Sequence, residues 1–149
     1  MRNVLQSGVA KSGNYWLWKI IDLTLKESGQ PRSNFVTNTE AYARLQEQIM
    51  THEDQLKTDV LDVDATGYYW RIGPYHRERI VSLSAYLAKA DHIWTHSAYH
   101  SNFEPVLSSV GKAVYIIRDP RDIAVSMANF AFTPYVMHGM PHHETDVDS

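Results

Sequence analysis

The chain has 149 residues, 44% of them hydrophobic and 21% charged, which is typical of one globular domain with a buried core. A net charge of −3 argues against nucleic acid or an anionic membrane as a partner, because both need a basic surface. The absence of cysteine excludes a disulfide scaffold, a thiolate metal site and a cysteine nucleophile.

No apolar run reaches the roughly 20 residues needed to cross a bilayer, and the first residues lack the apolar core of a signal peptide. These observations predict a cytoplasmic protein. The first elements in chain order are a strand over residues 3–7, a turn over residues 8–13 and a helix over residues 14–27, whose apolar side chains recur at helical spacing. Thr39 is a candidate N-cap for a second helix over residues 40–55.

The second half of the chain begins with residues 58–75, whose aspartates, glycines and aromatic residues favour no single element. A helix over residues 77–89, a short strand over residues 92–95 and a helical turn over residues 105–110 follow. Residues 113–117 are apolar without alternation, as expected of a strand covered on both faces.

Asp119 and Pro120 open another helix, since aspartate suits the N-cap and proline suits the first helical position. From Met137 the chain is polar and predicts a flexible tail over residues 137–149. The spacing of its candidate metal ligands fits no metal-binding motif, so a solvated tail is favoured over a metal site; these ligands are His138, His142, His143 and Glu144.

Strands that alternate with helices favour an α/β fold in which crossover helices connect a parallel sheet. About three strands are predicted, fewer than a parallel sheet usually has. We therefore expect a single domain over residues 1–149 that is incomplete at its C-terminal end.

A turn of small residues joins the first predicted strand to the first predicted helix. The run from Ser7 to Trp16 can aim several backbone N–H groups at one point, and the positive end of the helix dipole adds to their potential. Lys11 supplies a full positive charge, but its position before Ser-Gly does not match a Walker A loop. The run indicates an anion site; an ordinary turn with a solvent-facing lysine is the alternative.

The predicted strand 113–117 carries Arg118 at its carboxyl end, where ligands bind in open parallel sheets. Arg118 can grip a phosphate with two nitrogens, and Ser126, in the following helix, can add a hydroxyl donor. The alternative is a structural salt bridge between Arg118 and Asp119 or Asp122, with Ser126 as a packing residue.

His96 follows the predicted strand 92–95, and a neutral imidazole there could take a proton from an acceptor hydroxyl. Because the chain has eight histidines, a surface or hydrogen-bonded histidine is the alternative. Lys11, His96 and Arg118 are all expected at the same edge of one sheet. Their convergence indicates a site for a bulky polyanion.

Three segments resemble motifs of the sulfotransferase family. Residues 10–16 resemble the phosphosulfate-binding loop, K-S-G-T-T-W, and residues 112–126 resemble the strand and helix that bind the 3′-phosphate. Thr95-His96 resembles the K-T-H segment that carries the family's catalytic histidine.

The chain departs from the family pattern at three places, one of which is Val9-Ala10 in place of a common Tyr-Pro. Asn14 and Tyr15 stand where the family usually has two threonines. The C-terminal R-K-G-x-x-G-D-W segment of the family is absent from the sequence, which supports the expectation of a partial sulfotransferase domain.

The resemblance implies a role for each matched residue. Lys11 and His96 would be catalytic, the lysine stabilising charge on the leaving phosphate and the histidine acting as general base. The donor 3′-phosphoadenosine-5′-phosphosulfate (PAPS) would be bound by Lys11, Ser12, Gly13, Asn14 and Tyr15 at the phosphosulfate, by Trp16 at the adenine, and by Arg118 and Ser126 at the 3′-phosphate. No metal is required, because Lys11 and Arg118 supply the positive charge.

The fold implied by the resemblance is a P-loop nucleotide-kinase-like α/β domain. The activity implied is transfer of a sulfuryl group from PAPS to the hydroxyl or amine of a small-molecule acceptor; a homodimer is left open. Three alternatives stand beside this function: a donor-binding module without turnover, a nucleoside or nucleotide kinase, and a structural domain. The missing Walker A loop disfavours the kinase, and the convergence of candidate residues disfavours the structural domain.

Overall fold

The computed structural model describes residues 3–29 and 31–139, and the strands of this part form one six-stranded sheet. In chain order the strands are β1 (Val4–Gly8), β2 (Asp59–Asp64), β3 (Gly67–Ile72), β4 (His76–Arg79), β5 (His92–Thr95) and β6 (Lys112–Ile116). Their order across the sheet is β4-β3-β2-β5-β1-β6. The neighbours β2, β5, β1 and β6 are parallel, whereas β3 and β4 are antiparallel.

Six α-helices lie in the described part of the chain. They are α1 (Asn14–Glu27), α2 (Glu40–Arg44), α3 (Leu83–Leu87), α4 (Glu104–Ser109), α5 (Pro120–Ala131) and α6 (Pro134–Gly139). Three short 3₁₀ turns cover Val36–Asn38, Glu53–Lys57 and Ser101–Phe103. No helix in residues 3–29 and 31–139 is long and apolar enough to span a membrane.

Local sequence signals predicted several elements correctly. The bounds predicted for α1 match the structure, and β1, β5, α4 and β6 each begin or end within one residue of their predicted bounds. Asp119 caps α5 by accepting a hydrogen bond from the Arg121 N–H at 2.9 Å, and Thr39 caps α2 by accepting one from the Tyr42 N–H at 3.2 Å. These signals succeed because the cap and its donor are neighbours in sequence.

The prediction of an all-parallel sheet with about three strands was wrong. Residues 58–75, for which no element was predicted, form β2 and β3, and β4 extends this antiparallel meander. The helix predicted over residues 77–89 is β4 in its first three residues and is helical only in α3. Pairing of β4 with β3 overrides the helical spacing of the local sequence.

Two further predictions needed correction. The helix predicted over residues 40–55 ends at Arg44, and a 3₁₀ turn forms later in that range. The strand β6 was expected to be covered on both faces, but it is the edge strand of the sheet and leaves Tyr115 60% exposed. Its apolar run predicted burial, yet β1 is its only strand partner in the described part and none of the side chains of β6 is fully buried.

The hydrophobic core is built mainly from the central strands and from the helices that cover them. Leu5 of β1, Leu61 of β2 and Ile93 of β5 are fully buried and pack in one cluster with Tyr86 of α3 and Val106 of α4. The predicted tail begins inside α6, so its first residues are helical. Residues 140–149, with His142, His143 and Glu144, lie outside the described residues, as does the side chain of His138.

The order of the parallel strands positions three candidate residues. Because β1 lies between β5 and β6, the carboxyl ends of these strands are neighbours at one edge of the sheet. Lys11 follows β1, His96 follows β5 and Arg118 follows β6. The loops that carry these three residues therefore meet at the same edge.

Replacing Gly8 with alanine should destabilise this edge. A Cβ at Gly8 would lie 2.5 Å from Ile116 Cγ2 and 3.0 Å from the Ile116 carbonyl oxygen, so β1 and β6 would have to move apart. Gly8→Ala should lower the unfolding free energy by about 1–3 kcal/mol, the usual cost of overpacking, measured by urea denaturation.

Gly29→Ala is the matched control, because a Cβ there meets nothing within 4 Å and only the backbone angle of +67° is unfavourable. It should cost about 1 kcal/mol, as expected for one residue in the left-handed region. A Gly8→Ala variant as stable as the wild type would contradict the close packing of β1 on β6.

Candidate functional site

The loop after β1 is shaped by two residues in the left-handed backbone region. Lys11 has φ 66° and is the one non-glycine residue with positive φ in the described part of the chain; Gly13 has φ 102°. A lysine in this conformation costs free energy, and such costs concentrate at functional sites. Together the two residues turn the chain from β1 into α1 and place Lys11 at the apex of the loop.

Side-chain hydrogen bonds inside the loop hold this shape. The Asn14 side-chain amide donates to the Val9 carbonyl at 2.8 Å and to Ser12 Oγ at 2.9 Å. Ser12 Oγ donates to the same Val9 carbonyl at 2.6 Å. Asn14 and Ser12 are both buried, so their side chains brace the loop from within.

The backbone at the start of α1 provides donors that the helix itself does not use. The Leu17 N–H donates to the Gly13 carbonyl at 3.1 Å, which is the first bond of the helical ladder. The N–H groups of Asn14, Tyr15 and Trp16 precede that bond and belong to the first turn, where helix geometry supplies no acceptor. These N–H groups and the helix dipole make the N-terminus of α1 favourable for an anion.

Arg118 lies directly beside Lys11. Its Nη1 donates to the Lys11 carbonyl at 3.1 Å, and its Nε lies 3.8 Å from Asp122. The guanidinium thus contacts both the loop and the Asp122 carboxylate that the salt-bridge alternative named, and binding of a phosphate by Arg118 stays a prediction. Desolvation, followed by the positive charge of Arg118, lowers the pKa of Lys11 below its ordinary value.

The Lys11 ammonium lies over the ring of Phe130 in α5, 4.2 Å from the ring centroid. A cation–π contact of this kind holds the ammonium without neutralising its charge. The repulsion from Arg118 that lowers the Lys11 pKa would be relieved by an anion that binds both residues.

Hydrogen bonds fix the protonation pattern of the His96 ring. Nδ1 lies 2.6 Å from the Gly8 carbonyl, which can only accept, so Nδ1 carries the proton and donates. In the neutral ring Nε2 then holds the lone pair, and Trp94 Nε1–H donates to it at 3.2 Å. The bond to Gly8 ties the histidine to the end of β1.

The pKa of His96 is lowered from its ordinary value. Although the residue as a whole is exposed, desolvation of its ring by the surrounding protein disfavours the charged form, and the positive charge of Arg71 adds to this effect. The hydrogen bond to Gly8 acts in the opposite direction. A lowered pKa keeps His96 neutral near pH 7, the form in which a histidine can accept a proton.

A cavity of about 640 Å³ joins these groups. Most of the residues predicted for the site line it, namely Lys11, Gly13, Asn14, Tyr15, Trp16, His96, Arg118 and Ser126. Ser12 does not line it and lies beneath the loop. The indole of Trp16 is 72% exposed, so one edge of the cavity offers an open aromatic surface.

The Tyr15 ring is engaged with a neighbouring segment. It stacks on His52 with the ring centroids 3.6 Å apart and the planes 9° from parallel. His52 lies just before the 3₁₀ turn Glu53–Lys57, so this stacking brings residues 51–57 against the N-terminal end of α1. Tyr15 thereby closes one wall of the cavity.

Sequence reasoning missed several residues that line the cavity; they are Thr51, His52, Gln55, Arg71, Trp94, Phe130 and Tyr135. Arg71 was missed because β3 was not predicted, although Tyr69 and Arg71 alternate with Trp70 as strand residues do. Trp94 stands two residues before His96, and no local signal shows that its indole contacts the imidazole.

Trp94→Phe should raise the pKa of His96. The indole N–H donates to the lone pair that a proton would occupy, so its loss favours protonation. The pKa can be measured by following the His96 ring resonances with pH in long-range ¹H–¹⁵N NMR spectra.

Trp16→Phe is the control, because Trp16 makes no described contact with His96, and it should leave this pKa unchanged. An unchanged or lower His96 pKa in Trp94→Phe would contradict the hydrogen bond.

Comparisons with known proteins identify the family. The chain matches the family model described as the sulfotransferase domain over residues 2–148. Neither the curated proteins nor the solved structures contain a match to this chain. The family match covers the loop after β1, His96 and the β6–α5 segment, and the chain therefore belongs to the sulfotransferase domain family.

Proposed function

We propose that this sulfotransferase-family protein moves a sulfuryl group from PAPS to a hydroxyl or amine acceptor. The observation that carries the proposal is the hydrogen bond from Arg118 Nη1 to the Lys11 carbonyl, which measures 3.1 Å and lies in the loop just before α1. Because of this contact, two cations and the free N–H groups at the start of α1 line the same cavity. A nucleotide with phosphate at both its 3′ and 5′ positions needs such a set of donors.

The residues that line the cavity suit PAPS in their charge, their hydrogen-bond donors and their aromatic surface. None of the described residues that line the cavity is an aspartate or a glutamate, and Asp122, which lies 3.8 Å from Arg118, is not part of this lining. Lys11 and the first-turn N–H groups of α1 would hold the phosphosulfate. Arg118 and the Ser126 hydroxyl would hold the 3′-phosphate, and the exposed Trp16 ring would stack on the adenine.

In the proposed reaction His96 acts as general base. The acceptor hydroxyl or amine displaces the Trp94 N–H from the Nε2 lone pair, and Nε2 takes the acceptor's proton. The acceptor atom forms a bond to sulfur as the bond from sulfur to the 5′-phosphate oxygen breaks. The electron pair of the broken bond stays on that phosphate, where Lys11 and the loop N–H groups stabilise it. The protein contributes mainly positioning and electrostatic stabilisation.

Binding of adenosine 3′,5′-bisphosphate tests the donor site. Lys11→Ala should weaken its affinity at least tenfold in calorimetric titration, because a charge-assisted contact is lost. Sulfuryl transfer should be abolished while the circular dichroism spectrum is unchanged, since the loop apex is not part of the core.

Lys89→Ala, at an exposed position after α3, is the charge-matched control and should bind like the wild type. ATP should bind the wild type more weakly than the bisphosphate. Wild-type turnover in Lys11→Ala would contradict the proposal, and bisphosphate binding without any turnover would favour a donor-binding module.

His96→Ala should leave bisphosphate affinity unchanged and lower kcat by about 10²- to 10⁴-fold, the usual contribution of a general base. In the wild type kcat/KM should be constant around pH 7 and fall at acidic pH. The fall should come below pH 6.5, because the pKa of His96 is lowered and only the neutral ring can accept a proton.

His76→Gln is the control, since this histidine lies on β4 and does not line the cavity. A large loss of bisphosphate affinity in His96→Ala would argue against the base role, because it would place His96 in donor binding.

A further inference from the structure

One cation in the cavity is not used by the proposed donor site. Lys11 and Arg118 lie together at the ends of β1 and β6, but Arg71 lines the same cavity from β3. Arg71 pairs with Asp62, which is not among the described residues that line the cavity, so within that lining no carboxylate accompanies the guanidinium.

The sheet order places Arg71 on the opposite side of His96 from the two donor-site cations. In the order β3-β2-β5-β1-β6, Arg71 lies on β3, His96 follows β5, and Lys11 and Arg118 follow β1 and β6. The strand register also aligns Arg71 with Val60 and Val60 with Trp94, so Arg71 and Trp94 lie in one cross-strand row. At about 4.8 Å per strand, their backbones are about 10 Å apart.

The guanidinium of Arg71 is held in place with donor capacity to spare. Its Nε donates to Asp62 at 3.1 Å, and its Nη1 has only a long contact of 3.4 Å to the Gly73 carbonyl. Neither of these hydrogen bonds uses Nη2. Arg77 also contacts Asp62, with its Nε 3.5 Å from the carboxylate, so the negative charge of Asp62 is divided between two arginines.

Two aromatic residues, Trp94 and Tyr135, line the cavity together with Arg71. Tyr135 is buried, and its hydroxyl lies near Gly73, whose carbonyl accepts from Arg71. The charge of Arg71 opposes the rise that burial causes in the pKa of Tyr135, and it lowers the pKa of His96. The positive charge of Arg71 therefore acts on both His96 and Tyr135.

We propose that the acceptor carries its own anionic group, a carboxylate in the simplest case, which Arg71 binds while the acceptor hydroxyl or amine faces His96. The proposal rests on the proposed sulfuryl transfer, because it assigns the acceptor side of the same cavity. A planar guanidinium binds a carboxylate through two nitrogens, which fixes orientation as well as charge. Trp94 and Tyr135, which line the same cavity as Arg71, suit an acceptor with an aromatic ring.

Two acceptors that differ only in the anionic group test this assignment. The probes are 4-hydroxybenzoate and its methyl ester, titrated calorimetrically into protein saturated with adenosine 3′,5′-bisphosphate, so that the result does not require turnover. The wild type should bind the carboxylate at least tenfold more tightly than the ester, as expected for a charge-assisted contact. Added salt should reduce this preference, since it screens the pair.

Arg71→Gln should remove the preference for the carboxylate, and Arg71→Lys should keep part of it. Arg77→Gln is the matched control, because Arg77 also contacts Asp62 but does not line the cavity, and it should keep the preference. Equal binding of the two probes by the wild type, no binding of either, or a preference that survives Arg71→Gln would overturn the proposal. The wild-type comparison decides the question even if Arg71→Gln does not fold.

Turnover of the two probes separates this inference from the proposed function. If the acid binds more tightly through Arg71 but neither probe is sulfated, the anion site stands and sulfuryl transfer to such acceptors fails. If the ester is sulfated with the same KM as the acid, sulfuryl transfer stands and the assignment of Arg71 fails. If the bisphosphate does not bind, the donor site fails, and the titrations repeated without it still test Arg71.

Discussion

The parallel pairing of β1 with both β5 and β6 is the constraint on which the rest of the site depends. In this arrangement the loops after β5 and β6 lie on either side of the loop after β1. The Gly8 carbonyl can then accept a hydrogen bond from His96 Nδ1 on one side, while the Lys11 carbonyl accepts one from Arg118 on the other. Backbone carbonyls at the end of β1 and in the loop after it thus orient the candidate base and Arg118.

Charge is distributed unevenly over this protein. The chain carries more acidic than basic residues, yet the described lining of the cavity contains three cationic side chains and no carboxylate. A pocket of one sign attracts the opposite charge even when the net charge of the protein is unfavourable. The neighbours that hold these cations are Phe130 beside Lys11, Asp122 beside Arg118 and Asp62 beside Arg71, and neither aspartate lines the cavity.

The local sequence predicted the parts of the site that depend on neighbours in the chain. The turn at Lys11 and Gly13, helix α1 and the Asp119 cap all follow from contacts within a few residues, so propensity and spacing indicate them. Arg118 and His96 were found because each directly follows an apolar strand. No element was predicted for β3, and the predictions for β4 and for the cover of β6 were wrong; in these places pairing or packing with distant segments decides the outcome.

The order of residues along the chain specifies which chemical groups follow β1, β5 and β6: a lysine, a serine-glycine turn, a helix start, a histidine and an arginine, in an order that matches the sulfotransferase family. What lies beside these groups follows from the folded arrangement of the strands. The cross-strand register of β3, β2 and β5 brings Arg71 into the row of Trp94, and the fold of the strand end lets the Trp94 indole reach His96. Such contacts depend on strand order and register, which are set by long-range pairing and are not encoded in any short stretch of the chain.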